Sequence, residues 1–372
     1  MKNNLYLLIF ICFFTLSNAQ SYDFKTVIDL DATEVISQGN TGTCWSFSTS
    51  SFLESEIIRI TGKTIDLSEM YNVRHTYPQK AYNYVMRQGH TQFSEGGLAH
   101  DVINRMATYG LVPNSVYSGL KNSNDKHNHS KLIDTLTKTL DKYIENPKLY
   151  TSNWKDDVNA ILDSSLGQNI NTFTFEGVTY TPMSFLKMTK LNPKDYISIT
   201  SFKHEPFYTN FILNIPDNFS NGKFLNVKID ELVEITNRAL EKGYTIELDC
   251  DVSEPTFSSE YGMAIIPNDA NNTEEAFKTI TQEKKITQEF RQQEFENFNT
   301  TDDHLMHIVG MVKDQTGKIY YKVKNSWGKN SSRVSNDGYI YMSAAYFKLK
   351  TISIMIHTDA LKNTYKKYIK NQ

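Results

Sequence analysis

The sequence predicts an α+β fold, a helical half followed by a strand-rich half, and three observations carry that prediction. Apolar residues recur at helical spacing through the first half of the chain, and period-two alternation takes over from about residue 245. No internal repeat is present, so the two patterns belong to one assembly rather than to an array. At 372 residues the chain exceeds what one small core needs, which implies one large domain or two tightly joined ones. A hydrophobic content of 39% with 22% charged residues is that of a globular protein, not a disordered one. The net charge of -3 gives no overall basic signature for a nucleic-acid partner.

Residues 1–19 read as a secretory signal. Lys2 supplies the charged start, 5–16 the apolar stretch, and Ser17-Asn18-Ala19 a small-residue cleavage site. The apolar stretch is short for a membrane span, and no other segment is apolar enough to be one. Export to a periplasmic or extracellular location is the expectation, with no membrane span in the mature chain. No cysteine follows the cleavage site, so a lipid-modified N-terminus is not expected.

Each later element has its own signal. Residues 22–36 alternate weakly, as an edge strand would. A helix is expected over 44–61, with Leu53, Ile57 and Ile60 on one face and Gly62 as its stop. Further helices are expected over 68–87, 98–109 (ended by Gly110), 132–140 and 154–166. Residues 121–131 read as a solvated polar loop despite His127 and His129, which have no further ligand pattern around them. Around 173–225 prolines and aromatics mix, which suggests an inserted, irregular excursion with short strands. A helix over 229–242 stops at Gly243, and a strand follows at 245–252. The charged stretch 274–298 reads as helical, at least in its second half. Strands are expected at 304–313, 319–325, 338–342 and 351–357, the first two joined by the turn Asp314-Gln315-Thr316-Gly317. Residues 361–372 read as a basic tail, a solvated surface helix set off from a catalytic domain spanning 20–360.

Chemistry concentrates at Gln38-Gly39-Asn40-Thr41-Gly42-Thr43-Cys44-Trp45, where a loop of small residues runs into a helix. A cysteine at a helix N-terminus meets unsatisfied backbone N–H groups and the positive end of the helix dipole, both of which favour the thiolate. Removal of Cys12 with the signal leaves Cys44 and Cys250. One disulfide is open to an exported protein, but Cys44 has a better use as a nucleophile, and Cys250 reads as a small buried hydrophobe on a strand. The thiol needs a base. His304 and His307 open a strand-like run, where residues three apart point to opposite faces, so only one faces a cleft. The same geometry disfavours a metal pair, and neither a metal nor another cofactor is expected. Asn325 opens Asn325-Ser326-Trp327-Gly328; its side-chain oxygen can hold the imidazole tautomer, and Trp327 can shield that bond from water. Gln38 supplies an amide donor for an oxyanion.

These stretches resemble papain-like cysteine peptidases. Residues 38–48 are similar to that family's active-site loop and helix, 304–311 to its histidine strand, and 324–328 to its asparagine strand. Glu95-Gly96-Gly97, Tyr109-Gly110-Leu111-Val112-Pro113 and Asp249-Cys250-Asp251-Val252 resemble the bleomycin hydrolase or aminopeptidase C branch. So does Thr41, which stands where secreted papain relatives carry a disulfide cysteine. The resemblance implies a helical subdomain and a β-barrel-like subdomain with the cleft between them. It implies a thiol aminopeptidase acting on peptide substrates through an acyl-enzyme, with Cys44 as nucleophile, His304 as general base and acid, Asn325 as orienter and Gln38 as oxyanion donor. Gly96 and Gly97 would line the substrate cleft, and the branch's habit is a homo-hexamer whose C-terminus lies in the cleft. The alternatives are an endopeptidase with an open cleft and a catalytically silent binding homologue.

Overall fold

The computed structural model describes residues 21–122, 125–148, 153–269, 272–329 and 332–369; the expected signal segment lies outside them. Strand β1 (Lys25–Asp29) leads through an extended loop to α1 (Cys44–Thr61). α1 ends on Gly62, whose φ of 71° is left-handed and whose N–H returns to the Ile58 carbonyl, a conformation that costs glycine least. α2 (Glu69–Met86) starts on Ser68, whose hydroxyl accepts the Tyr71 N–H. α3 (Ala99–Tyr109), α4 (Ser130–Glu145) and α5 (Trp154–Leu166) complete the helical half. Leu132, Leu136 and Leu140 of α4 and Val158, Leu162 and Leu166 of α5 form buried rows at four-residue spacing, which is why these segments are helices packed on one face.

A hairpin of β2 (Phe173–Phe175) and β3 (Val178–Tyr180) precedes α6 (Pro182–Thr189), β4 (Tyr196–Thr200), β5 (Asn210–Ile212) and β6 (Lys223–Asn226). Then come α7 (Ile229–Glu241), β7 (Ile246–Cys250), β8 (Phe257–Ser258), β9 (Met263–Ala264), α8 (Thr273–Lys278) and α9 (Gln288–Glu296). The chain finishes through β10 (His304–Lys313), β11 (Ile319–Lys324), β12 (Tyr339–Ser343), α10 (Ala344–Lys350), β13 (Thr351–His357) and α11 (Asn363–Ile369). Among the described residues, eleven strands form one mixed sheet in the order β5-β6-β4-β13-β7-β10-β11-β12-β9-β8, with β1 also pairing to β10. The sheet divides two cores, as alternation requires: on β13, Met355 faces the helical half while Ile354 and Ile356 face the core that holds α7. β10 is the pivot. It pairs with β7, β11 and β1, and α1 lies across it, with the Ser48 hydroxyl donating to the Met306 carbonyl at 2.6 Å.

Three stretches differ from the sequence reading. β4 is no part of an irregular excursion: all five of its residues are buried, between β6 and β13 in the main sheet. The stretch before α4 is largely exposed, as a polar loop should be, but His129 is not: it is buried at the N-cap position of α4 and shares a 2.8 Å hydrogen bond with Thr41 Oγ1 in the Cys44 loop. The 361–369 segment is amphipathic rather than solvated on all sides: Tyr365 is buried and donates to Glu231 of α7 at 3.0 Å, and Tyr368 stacks on Tyr208 with centroids 5.6 Å apart. Residues 370–372 of the expected tail lie outside the described chain. Among the described residues no helix is long and apolar enough to cross a membrane.

Candidate active site

The Cys44 loop is clamped by Glu95. Its carboxylate accepts the Thr41 hydroxyl at 2.8 Å and the Gly42 N–H, and its carbonyl accepts Trp45 Nε1 at 2.9 Å. The first turn of α1 closes with Ser46 and Phe47 donating to the Thr43 carbonyl. The N–H groups of Cys44 and Trp45 therefore stand at the open end of the helix, without intrahelical acceptors.

The Cys44 side chain is 7% exposed and meets the backbone N–H of Leu305, the residue after His304. His304 shares a 2.8 Å hydrogen bond with Asn325 through Nε2 and Oδ1. Asn325 Oδ1 also accepts the Ser326 N–H at 2.7 Å, which fixes it as the oxygen. An amide oxygen only accepts, so the imidazole proton is on Nε2, and Nδ1 keeps a lone pair. The Trp327 ring covers this pair, its centroid 4.9 Å from that of His304 at an interplanar angle of 30°. Gln38 joins the same set. Its N–H donates to the Ser326 carbonyl at 2.8 Å, its Oε1 accepts the Ser326 hydroxyl, and its Nε2 donates to the Thr41 carbonyl at 2.6 Å. Hydrogen bonds thus run from Gln38 through Ser326 to Asn325 and His304, and the Cys44 thiol meets the same strand at Leu305. His307 points elsewhere: Nδ1 pairs with Ser51 of α1 at 2.9 Å.

Electrostatics here run against the expected low thiol pKa. Burial pushes the Cys44 thiol up to about 12; the Leu305 N–H opposes this, while Asp217, Asp302 and Asp249 add to it. Burial pushes His304 down to about 4, with the Asn325 bond opposing. Desolvation dominates both shifts, and each group titrating alone prefers its neutral form.

Against α1 lies a cavity of about 310 Å³ that includes Phe47, Ser51, Glu54, Glu69, His307 and Lys324 in its lining. Lys324, next to Asn325, donates to Thr33 Oγ1 at 2.9 Å and Ser51 Oγ at 2.7 Å and faces the carboxylates of Glu54 and Glu69. Carboxylate atoms of Glu54, Asp66 and Glu69 all lie within 4.8 Å of one another, with Lys324 as their counter-charge. Sequence reading did not pick out this group, because its members are far apart in the chain. A Cβ on Gly97 would stand 3.0 Å from the Trp45 ring, and one on Gly96 would collide with the Asp217 carboxylate. Asp217 and Asp302 also escaped the sequence reading, although Asp302 stands only two residues before His304.

With this geometry in place, the similarities of the chain are informative. A model of the Peptidase C1-like family matches residues 85–372. The chain is 24% identical over 370 residues to the aminopeptidase C of Listeria innocua, covering 88% of this chain and 81% of that one. It is 23% identical to the mitochondrial cysteine proteinase 1 of Saccharomyces cerevisiae, covering 91% of this chain and 77% of that one. Its fold is similar to that of the crystal structure of PepW from Lactobacillus rhamnosis, with a TM-score of 0.74 and 20% identity over 93% of this chain and 85% of that one.

Proposed function

The chain belongs to the Peptidase C1-like family and is a papain-like cysteine peptidase, and from that premise we propose that it is an aminopeptidase with Cys44 as its nucleophile. The observation that carries the site assignment is the His304–Asn325 hydrogen bond under Trp327, on the strand whose next N–H meets the Cys44 thiol. His304 Nδ1 takes the thiol proton as sulfur attacks the scissile carbonyl. The Cys44 N–H and the Gln38 Nε2 proton not taken by the Thr41 carbonyl donate to the oxyanion as charge develops. Collapse breaks the C–N bond, and the imidazolium delivers its proton to the leaving amine. Water, deprotonated by His304, then hydrolyses the thioester and restores the thiol. The names of the bacterial relatives support the choice of peptide N-termini as substrate.

The test is release of N-terminal residues from chromogenic amino-acid amides. Cys44→Ala should abolish turnover and covalent labelling by a thiol-directed epoxide, and turnover surviving that change would refute the nucleophile. One observation favours a second reading, an endopeptidase: the recorded contacts of α11 go to α7 and to residues 208–210 rather than into the cleft. That reading predicts cleavage inside N-terminally blocked peptides. We further propose export after cleavage following Ala19, checked by N-terminal sequencing of the secreted protein. A homo-hexamer, proposed on family resemblance, is checked by light scattering.

A further inference from the structure

The loop that leads into Cys44 is held from two sides by residues that the proposed acyl transfer does not use. On one side runs the segment 127–129. The Asn40 N–H donates to the His127 carbonyl at 2.8 Å, and the His129 N–H returns to the Asn40 carbonyl at 3.2 Å. The two backbones lie so close that a Cβ on Gly39, whose φ is 71°, would stand 2.6 Å from the His127 carbonyl oxygen. On the other side stands Glu95, whose Oε2 accepts both the Thr41 hydroxyl and the Gly42 N–H.

Thr41 joins the two sides. Its buried hydroxyl has one hydrogen and two lone pairs, and all three are engaged. The hydrogen goes to Glu95 Oε2 at 2.8 Å, because a carboxylate only accepts. Thr41 Oγ1 therefore accepts from Nδ1 of the buried His129 at 2.8 Å, which makes Nδ1 a protonated ring nitrogen. Its second lone pair faces the Thr43 hydroxyl at 3.1 Å. Threonine is β-branched, so fixing Oγ1 fixes the rotamer and with it the backbone that carries it. That backbone presents the Thr41 carbonyl, which takes one proton of Gln38 Nε2 at 2.6 Å. The brace thus ends on the amide whose other proton is the proposed oxyanion donor.

We infer that His129 and Glu95, acting through Thr41, are positioning residues for the oxyanion site: they hold the Thr41 carbonyl where it turns the free N–H of Gln38 toward the developing oxyanion. The inference rests on the reading of Cys44 as an acyl-transfer nucleophile. Such a donor acts where charge develops in the transition state, so loosening the brace lowers kcat and spares KM. Attack of the same sulfur on a saturated carbon is a different case. In alkylation by iodoacetamide an S–C bond forms, iodide leaves and the thiol proton passes to base; no oxyanion appears, and the brace has nothing to contribute.

The experiment measures kcat and KM on alanine coumarylamide and on an N-blocked dipeptide coumarylamide, together with the rate of Cys44 alkylation by iodoacetamide. It compares wild type with Thr41→Val, Thr41→Ser, His129→Leu and His129→Asn, and epoxide titration counts folded sites in each. Thr41→Val should lower kcat by about 10- to 100-fold with KM little changed, less than the roughly 100- to 1,000-fold cost of deleting an oxyanion donor outright. His129→Leu should act in the same direction, and it carries the test should Thr41→Val not fold. Thr41→Ser keeps the hydroxyl and His129→Asn keeps an N–H donor near the place of Nδ1, so both should recover most of the loss. Alkylation should keep the wild-type rate throughout. In a Gln38→Ala background Thr41→Val should add little, because the donor it aims is already gone. A kcat loss matched by equally slowed alkylation, or one that adds in full to Gln38→Ala, overturns the inference and reduces the brace to a fold contact. An unchanged kcat in both Thr41→Val and His129→Leu overturns it and leaves the peptidase reading intact. A wild type inert on both amides overturns the functional reading, and this inference with it.

Discussion

At the scale of single residues, the site is governed by desolvation. His304 stays neutral down to about pH 4 because its surroundings penalise the imidazolium, and the Asn325 oxygen is the group that opposes this. The sign follows directly. Above pH 4 the imidazole can accept the thiol proton; as the pH falls through 4 it is protonated from solvent and the base is lost. The acid limb of kcat/KM should therefore fall near pH 4, well below the 6.5 of a free histidine. Asn325→Ala removes the stabilising bond, so it should move that limb to still lower pH. It should also cut kcat/KM about 10- to 100-fold, since a hydrogen bond to a charged group contributes about 1.5–3 kcal/mol. Stopped pH-rate profiles on an amino-acid amide decide it: a limb that stays put, or moves up, contradicts the role given to Asn325.

At the scale of elements, legibility tracked how local the signal was. The bounds of α1, α5, β10 and β13 coincide with the spans expected from sequence, because caps such as Gly62 and uninterrupted alternation such as 304–313 are written within a few residues. Cys44, His304, Asn325 and Gln38 were legible for a related reason: each sits inside a short distinctive run. What was lost depended on distant partners. Tyr196–Thr200 is a core strand only because β13 and β6 flank it, and His129 is buried only because the Cys44 loop folds against it. Asp217 packs against Gly96, far back in the chain, only in the fold. The β1–β10 crossing is another such partnership. Both strands change register there, and a Cβ on Gly310 would collide with the Ile28 carbonyl, backbone against backbone. Gly310→Ala should destabilise the protein by about 1–3 kcal/mol, the usual cost of overpacking. A thermal melt that does not move would show that β1 yields freely.

At the scale of the whole molecule, the question is what keeps the helical half registered on the sheet so that Cys44 meets β10 at Leu305, beside His304. Apolar contact alone is permissive about sliding, whereas directional bonds are not. Lys324 supplies them: it leaves the sheet one residue before Asn325, bonds Ser51 of α1 and Thr33, and offsets the buried carboxylates of Glu54 and Glu69. Glu54 is held in turn by the Thr33 hydroxyl and by the Leu67 N–H at 2.8 Å. Lys324→Met keeps much of the volume and deletes the charge, leaving two buried acids uncompensated. The cost should be about 3–5 kcal/mol where those acids are ionised. Burial already raises Glu54 to about 7, with Lys324 pulling the other way. Because that folded value lies above the unfolded one, the stability linked to Glu54 is present at low pH and lost as pH rises through 7. Removing the lysine raises the folded value further, so the destabilisation should be large at pH 8 and much smaller at pH 5, where the acid accepts a proton. Denaturant melts of both proteins at the two pH values test this, alongside kcat at pH 8. Equal losses at pH 5 and pH 8 would mean that Lys324 acts through packing rather than charge. A large loss at pH 8 with full kcat would mean that the lock stabilises the two halves without setting the site.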